Sequence, residues 1–161
     1  MRKLLTLILI LLSINSYSQI YIAFSGEGTN TPGSMRDRAN IAIEIGKQYN
    51  EVFTAGIDFG KTTLSRVSHK DTSNYLEFRP NLNIFQQGKF TNTITIGAGY
   101  VFNAEENFLT ELSSGIEYTL NDNVHFNIIF GQYFYSGNNT SSNCTFFGLS
   151  VMRYLNKKKT K

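Results

Sequence analysis

Apolar and polar residues alternate along most of the chain with a period of two. In residues 38–48, for example, Ile41, Ile43 and Ile45 alternate with polar or small neighbours. This period is typical of a β-strand whose two faces lie in different surroundings. The pattern recurs in eight segments, which are residues 20–26, 38–48, 52–61, 75–85, 90–102, 108–120, 124–135 and 145–155. The sequence therefore predicts an all-β protein of eight strands.

The connections between these segments alternate in length. Three connections are long and rich in Gly, Ser, Asn and Thr, namely residues 27–37, 66–74 and 136–143. Residues 103–107 form a shorter loop on the same side. Residues 49–50, 86–89 and 121–122 are short and contain residues that favour turns. Tight turns at one end and long loops at the other are typical of an up-and-down membrane barrel. We therefore expect an eight-stranded antiparallel up-and-down transmembrane β-barrel.

The composition of the polar face favours an interior over a water-facing wall. It carries a series of glycines, namely Gly46, Gly56, Gly60, Gly97, Gly99, Gly115, Gly131 and Gly148. Glycine weakens a strand and adds nothing to solubility, whereas small residues suit the crowded lumen of a narrow barrel. Aromatic residues of the apolar face favour the strand ends, as in the girdles of membrane barrels. A soluble lipocalin-like barrel, with its apolar face inside, is the alternative.

Charged residues within the strands lie on the glycine-bearing face. The predicted interior polar network consists of Arg38, Glu44, Asp58, Glu77, Arg79, Glu111, Glu117 and His125. Because buried ions are costly unless they are paired, we expect Arg79 to meet Glu77, Glu111 or Glu117, and Arg38 to meet Glu44 or Asp58. A polar plug that fills the lumen is the simpler interpretation, and a gated ion or proton path is the alternative.

The two ends of the chain differ from the strand region. Residues 1–18 combine a basic start, the apolar run 4–12 and small residues before Gln19, which predicts a cleaved signal peptide and an exported protein. Residues 19–156 form the predicted barrel domain, and residues 157–161 form a basic tail on the periplasmic side. Six of the 15 Lys and Arg residues lie in the leader or tail, which leaves 9 basic against 12 acidic groups between them. No basic face for nucleic acid remains.

Other candidate chemistry is weak. Residues 56–62 resemble a phosphate loop, but the spacing of the glycines is wrong and the segment continues as a strand. One Cys and two His make a disulfide framework, a metal site or another cofactor site improbable. His69, Asp71 and Ser73 share a long loop, so an enzyme that modifies an outer-membrane lipid, with His69 or His125 as base, is an alternative.

The plan of a leader followed by eight strands resembles the small outer-membrane β-barrel proteins of the OmpX/OmpA type. The resemblance covers residues 19–156. The leader ending in Ser-Tyr-Ser-Gln is similar to those of Bacteroidetes outer-membrane proteins, and residues 147–155 resemble the family's C-terminal assembly signal, although Leu155 stands where the family has an aromatic residue. Pro80 also departs from the pattern, and we expect a bulge there.

This resemblance implies an outer-membrane location in a Gram-negative cell envelope, with membrane lipids and the barrel-assembly machinery as partners. It implies a structural or surface-interaction role without an open channel. An extracellular partner would meet the loops 27–37, 66–74 and 136–143. The lipid-modifying enzyme and the soluble periplasmic barrel, which would bind an apolar ligand, remain the alternative functions.

Overall fold

Eight antiparallel strands form in the computed structural model, which describes residues 19–30, 38–62, 73–102, 106–137 and 141–155. The strands are β1 (Gln19–Asn30), β2 (Arg38–Gln48), β3 (Phe53–Thr62), β4 (Ser73–Gln87), β5 (Phe90–Phe102), β6 (Asn107–Asn121), β7 (Val124–Ser136) and β8 (Ser141–Tyr154). Each strand pairs with its neighbours in the sequence, and β8 pairs with β1. The sheet is therefore a closed up-and-down barrel, as predicted. Among the described residues, no helix is long and apolar enough to span a bilayer.

The register of the strands sets the width and tilt of the barrel. A path that crosses the strands at right angles leaves β1 at Gln19 and returns to it at Thr29, ten residues further along. A stagger of this kind means that the strands are tilted by about 35–45° to the barrel axis. With eight strands, the lumen is just wide enough to be filled by side chains.

The apolar face of each strand points outward. Phe24 is 60% exposed and Ile57 is 54% exposed, whereas Tyr21, Asp58 and Glu111 are almost fully buried in the lumen. Aromatic pairs lie towards both ends of the outer wall, such as Phe90 with Tyr118 near the turns. The prediction that the apolar face lies outside is confirmed. The soluble alternative is wrong for this chain, because a lipocalin-like barrel keeps its apolar face inside.

Local turn chemistry explains the three short connections. The side-chain oxygen of Asn50 accepts hydrogen bonds from the backbone N–H groups of Val52 and Phe53. The side chain of Asn121 makes the same kind of contact at the turn between β6 and β7. Gly88, between β4 and β5, has a φ of 61°, which suits glycine. These three turns define one end of the barrel, called the turn end below.

Two predictions about the strands need correction. Four segments that were expected in loops extend β1, β4, β7 and β8 instead. They are residues 27–30, 73–74, 136 and 141–143. The bulge expected at Pro80 is also wrong, because the register between β4 and β5 is the same on both sides of Pro80 and shifts only between Asn83 and Phe85. Pro80 is accommodated by the absence of a β5 partner at positions 79 and 80.

Candidate functional site

Arg79 lies at the centre of the polar lumen and connects three strands. From β4, its Nε donates to Oε2 of Glu111 at 2.7 Å and its Nη2 donates to Oε1 of the same carboxylate at 2.9 Å. Its Nη1 donates to Oε2 of Glu44, on β2, at 3.0 Å. The hydroxyl of Ser113 adds a further hydrogen bond to Glu111. This two-pronged contact with Glu111 is the strong form of an arginine–carboxylate pair, and it joins β4 to β6 inside the lumen.

Tyrosine hydroxyls satisfy the neighbouring carboxylates. Tyr21 donates to Glu44 at 2.5 Å, so both oxygens of Glu44 are bound. Two similar contacts lie nearer the other end of the barrel. Tyr75 donates to Asp58 at 2.9 Å, and Tyr133 donates to Glu27 at 2.9 Å. Because a tyrosine is both large and polar-tipped, these residues fill the lumen and also supply its hydrogen-bond donors.

Carboxyl groups outnumber cations in this network. Arg79 is the one cation among the central interior side chains that the structure describes, and it faces the five carboxyl groups of Glu27, Glu44, Asp58, Glu77 and Glu111. Glu77 is 1% exposed, and neither of its oxygens has a hydrogen-bond partner among the described residues. An unpaired buried carboxyl group is costly, so Glu77 is the weakest point of the cluster in terms of hydrogen bonding.

A second polar group lies nearer the turn end. Nδ1 of His125 lies 2.6 Å from Oε1 of Glu117, which fixes the imidazole against the wall of β6. The ring of Tyr154 packs edge-on against His125 at 4.9 Å between ring centroids. Among the described residues, no three His, Cys, Asp or Glu side chains are arranged to hold a metal ion.

The structure divides the predicted network into two parts. Glu44, Asp58, Glu77, Arg79 and Glu111 belong to the central cluster. Glu117 and His125 form the separate pair, so Glu117 does not meet Arg79. The side chain of Arg38 lies outside the described residues, as do His69 and Asp71. Ser73 is buried at the start of β4.

Sequence reasoning missed one acid of the central cluster. Glu27 was expected in an outer loop, but β1 continues to Asn30 and places Glu27 in the lumen, 3% exposed. The alternation does continue there, since Ser25, Glu27 and Thr29 share the inner face. The outward positions between them hold Gly26 and Gly28, and this lack of apolar residues made the segment resemble a loop.

Glycines on the inner wall make room for the large polar side chains. A Cβ on Gly56 would overlap the carboxylate of Glu44, and one on Gly97 would overlap that of Glu77. A Cβ on Gly46 would overlap the ring of Tyr21. The glycine-rich face therefore serves the network, because each of these side chains lies flat against the backbone of a neighbouring strand.

Replacing Gly99 with alanine should destabilise the barrel. The added Cβ would press on the carbonyl oxygen of Leu76 and lie 2.8 Å from the Cα of Glu77, so the backbone of β4 would have to move. We expect a loss of about 1–3 kcal/mol in the free energy of unfolding, as for other overpacked sites. Gly26→Ala is the matched control, because nothing lies within 4 Å of its added Cβ. Denaturant titration of both variants in lipid vesicles gives the comparison, and equal effects would contradict this prediction.

The closed antiparallel sheet, its outward apolar wall and its polar lumen define an eight-stranded transmembrane β-barrel. Solved structures support this class. The chain resembles neisserial surface protein A (9% identity, TM-score 0.62, covering 84% of this chain and 96% of that one). It also resembles outer membrane protein H of Pseudomonas aeruginosa (12% identity, TM-score 0.65, covering 85% and 99%). A de novo designed transmembrane barrel, TMB2.3, is 16% identical with a TM-score of 0.57, covering 88% and 98%.

These likenesses concern the fold. No family model and no curated protein matches the sequence. The natural barrels named above are 9% and 12% identical to this chain, which is too little to extend the likeness to Arg79 and its carboxylates.

Proposed function

We propose that the protein is an outer-membrane barrel that acts as a closed scaffold and presents the segments between its strands at the cell surface. The observation that carries this proposal is the combination of an apolar outer wall with a lumen crossed by Arg79 and its two carboxylate partners. Such a molecule contacts lipids around its whole circumference. It offers a polar surface to other partners only at its two ends.

A closed lumen is supported by the packing around Arg79. The cavity beside the guanidinium group measures about 20 Å³, which is close to the space that one water molecule needs. Tyr21 lies on one side of this level, and Tyr75 and Tyr133 lie further along the lumen, all almost fully buried. A filled interior of this kind favours a structural role for the network over an aqueous path.

A surface role is supported by the two unequal ends of the barrel. The segments 31–37, 63–72, 103–105 and 138–140 connect strands at the end opposite the tight turns. One structural relative bears the name of a surface protein. We propose that these segments meet an extracellular partner.

We also propose that the leader 1–18 directs export in a Gram-negative cell of Bacteroidetes type, and that the barrel-assembly machinery recognises β8.

An epitope insertion tests the direction in which the barrel faces. An epitope placed after residue 139 should be labelled by antibody on intact cells. The same epitope placed between Asp122 and Asn123, at the turn end, should be labelled only after the outer membrane has been permeabilised. Both insertions fall at strand connections, where added residues are tolerated best. Labelling of the turn-end epitope on intact cells would reverse the orientation and overturn the proposed surface role of the other segments.

The closed lumen makes a separate prediction for ion flow. The folded protein should give no stepwise conductance in a planar bilayer, because Arg79 and Glu111 fill the centre of the lumen. A porin of known conductance in the same bilayer serves as the positive control. Reproducible current steps from this protein would favour the ion path over the plug.

A further inference from the structure

Charged side chains are divided between the two faces of the strands. The acidic residues of the strands lie on the inner face, and they are Glu27, Glu44, Asp58, Glu77, Glu111 and Glu117. The charged residues of the outer face are all basic, namely Lys47, Lys61 and Arg153. None of these three cations forms an ion pair with a carboxylate in the part of the chain that the structure describes. A counter-charge for the outer wall therefore has to come from its surroundings.

Two of these cations lie at the turn end, on either side of β1. Lys47 on β2 is the register partner of Ile20, and Arg153 on β8 is the partner of Ile22. Because the strands are tilted, a path across them rises from β1 to β2 and falls from β1 to β8, so both cations lie at a similar height. Strand spacing and rise place their Cα atoms roughly 12 Å apart. Both long side chains can therefore reach one group between them.

The surface between and above the two cations is apolar. Ile20 lies between them and is 43% exposed, and Ile45 and Val151 continue the apolar wall towards the middle of the barrel. The ammonium group of Lys47 lies over the ring of Tyr49, 5.1 Å from the centroid. Tyrosine and lysine side chains near the end of a membrane-spanning segment lie at the level of the lipid headgroups. An occupant with an anionic head and an apolar tail matches this surface, whereas a free anion would match only its lower edge.

We propose that Lys47 and Arg153 bind the phosphate of one anionic phospholipid, whose acyl chains lie along the outer wall of β1. Arginine presents a planar fork of N–H groups that matches two phosphate oxygens, and lysine adds a point charge. Each cation at an anionic membrane surface gives a roughly fivefold preference for the charged lipid. The inference rests on the barrel lying in a membrane, and it holds whatever partner the opposite end of the barrel meets.

The lipid selectivity of the folded full-length protein tests this site. The protein is placed in phosphatidylcholine nanodiscs that contain a small fraction of phosphatidylglycerol, and native mass spectrometry counts the lipids that stay bound after release. We expect one phosphatidylglycerol to be retained per protein molecule. Replacing both Lys47 and Arg153 with glutamine should lower this retention by roughly tenfold or more, because both cations that bind the phosphate are lost. In phosphatidylcholine alone, the variant should be as stable as the parent protein.

A second double variant with the same change in net charge provides the matched control. Lys61→Gln, Lys89→Gln removes one cation at the opposite end of the wall and one from the turn between β4 and β5, across the barrel from β1. It should retain phosphatidylglycerol as the parent does, and a heat-dependent shift in gel mobility establishes that each variant is folded. Equal losses in the two double variants, or retention of the two lipids in the proportions supplied, would overturn the proposal. Displacement of the lipid by an equal concentration of inorganic phosphate would also overturn it, because the headgroup alone would then account for binding.

Discussion

Replacing Arg79 with methionine should lower the free energy of unfolding by about 3–5 kcal/mol, which is the usual cost of removing one partner from a buried ion pair. The loss arises because Glu111 and Glu44 would remain in the lumen without the guanidinium group that binds them at 2.7–3.0 Å. Glu111 is fully buried and cannot reach water. Methionine fills a similar volume, so the change tests the charge and hydrogen bonds more than the packing. Denaturant titration of the folded protein in lipid vesicles gives the free energy.

Two further variants make the Arg79 experiment specific. Arg153→Met removes an exposed arginine from the outer wall, and we expect a change within about 0.5 kcal/mol. Adding Glu111→Gln to Arg79→Met removes one of the stranded charges and should recover part of the loss, which a double-mutant cycle measures. Equal losses at Arg79 and Arg153, or no recovery in the double variant, would show that the pair does not hold the lumen together.

Replacing Ile57 with arginine should lower the free energy of unfolding by about 2–4 kcal/mol, the cost of a cation on the lipid face at the middle of the bilayer. Ile57 lies in the middle of β3, points outward and is paired with Ile45 and Phe78, which also lie on the apolar wall. An arginine at this depth can reach neither interface easily.

Ile84 provides the matched control for the Ile57 experiment. It is also an exposed isoleucine, but it lies near the turn end of β4, beyond the point where Phe53 at the start of β3 pairs with Leu82. There the same substitution should cost about 0–1 kcal/mol, because the guanidinium group reaches the interface. Both values come from denaturant titration in lipid vesicles. If the two substitutions have the same small effect, the outer wall does not face a membrane.

The period of two was sufficient to predict the fold, because each change of face in a strand moves a side chain between lipid and lumen. The prediction failed where that contrast fades. Beyond Phe24, the outward positions of β1 are Gly26 and Gly28, so the sequence offered no apolar residue to mark the strand that carries Glu27. The bulge was expected at Pro80 because proline lacks an N–H group, yet the ladder skips two partners there without changing register.

All members of the central polar cluster except Glu27 could be predicted, but their pairing could not. Placing Glu44, Glu77, Arg79 and Glu111 on one face needs only the alternation within each strand. Whether Arg79 meets Glu111, Glu77 or Glu117 depends on the stagger of the barrel, which sets the height of each residue along the axis. That stagger brings β2 and β6 to Arg79 and leaves Glu117 with His125 near the turns. It is fixed by pairing across all eight strands, and no local pattern in the sequence encodes it.

Cell fractionation combined with gel mobility tests most directly whether the folded barrel spans a membrane. Outer membranes prepared from cells that express the protein should contain it, and the unboiled sample should migrate differently from the boiled one on a denaturing gel, because a closed barrel resists detergent until it is heated. Recovery in the soluble periplasmic fraction, with identical mobility before and after boiling, would contradict the account.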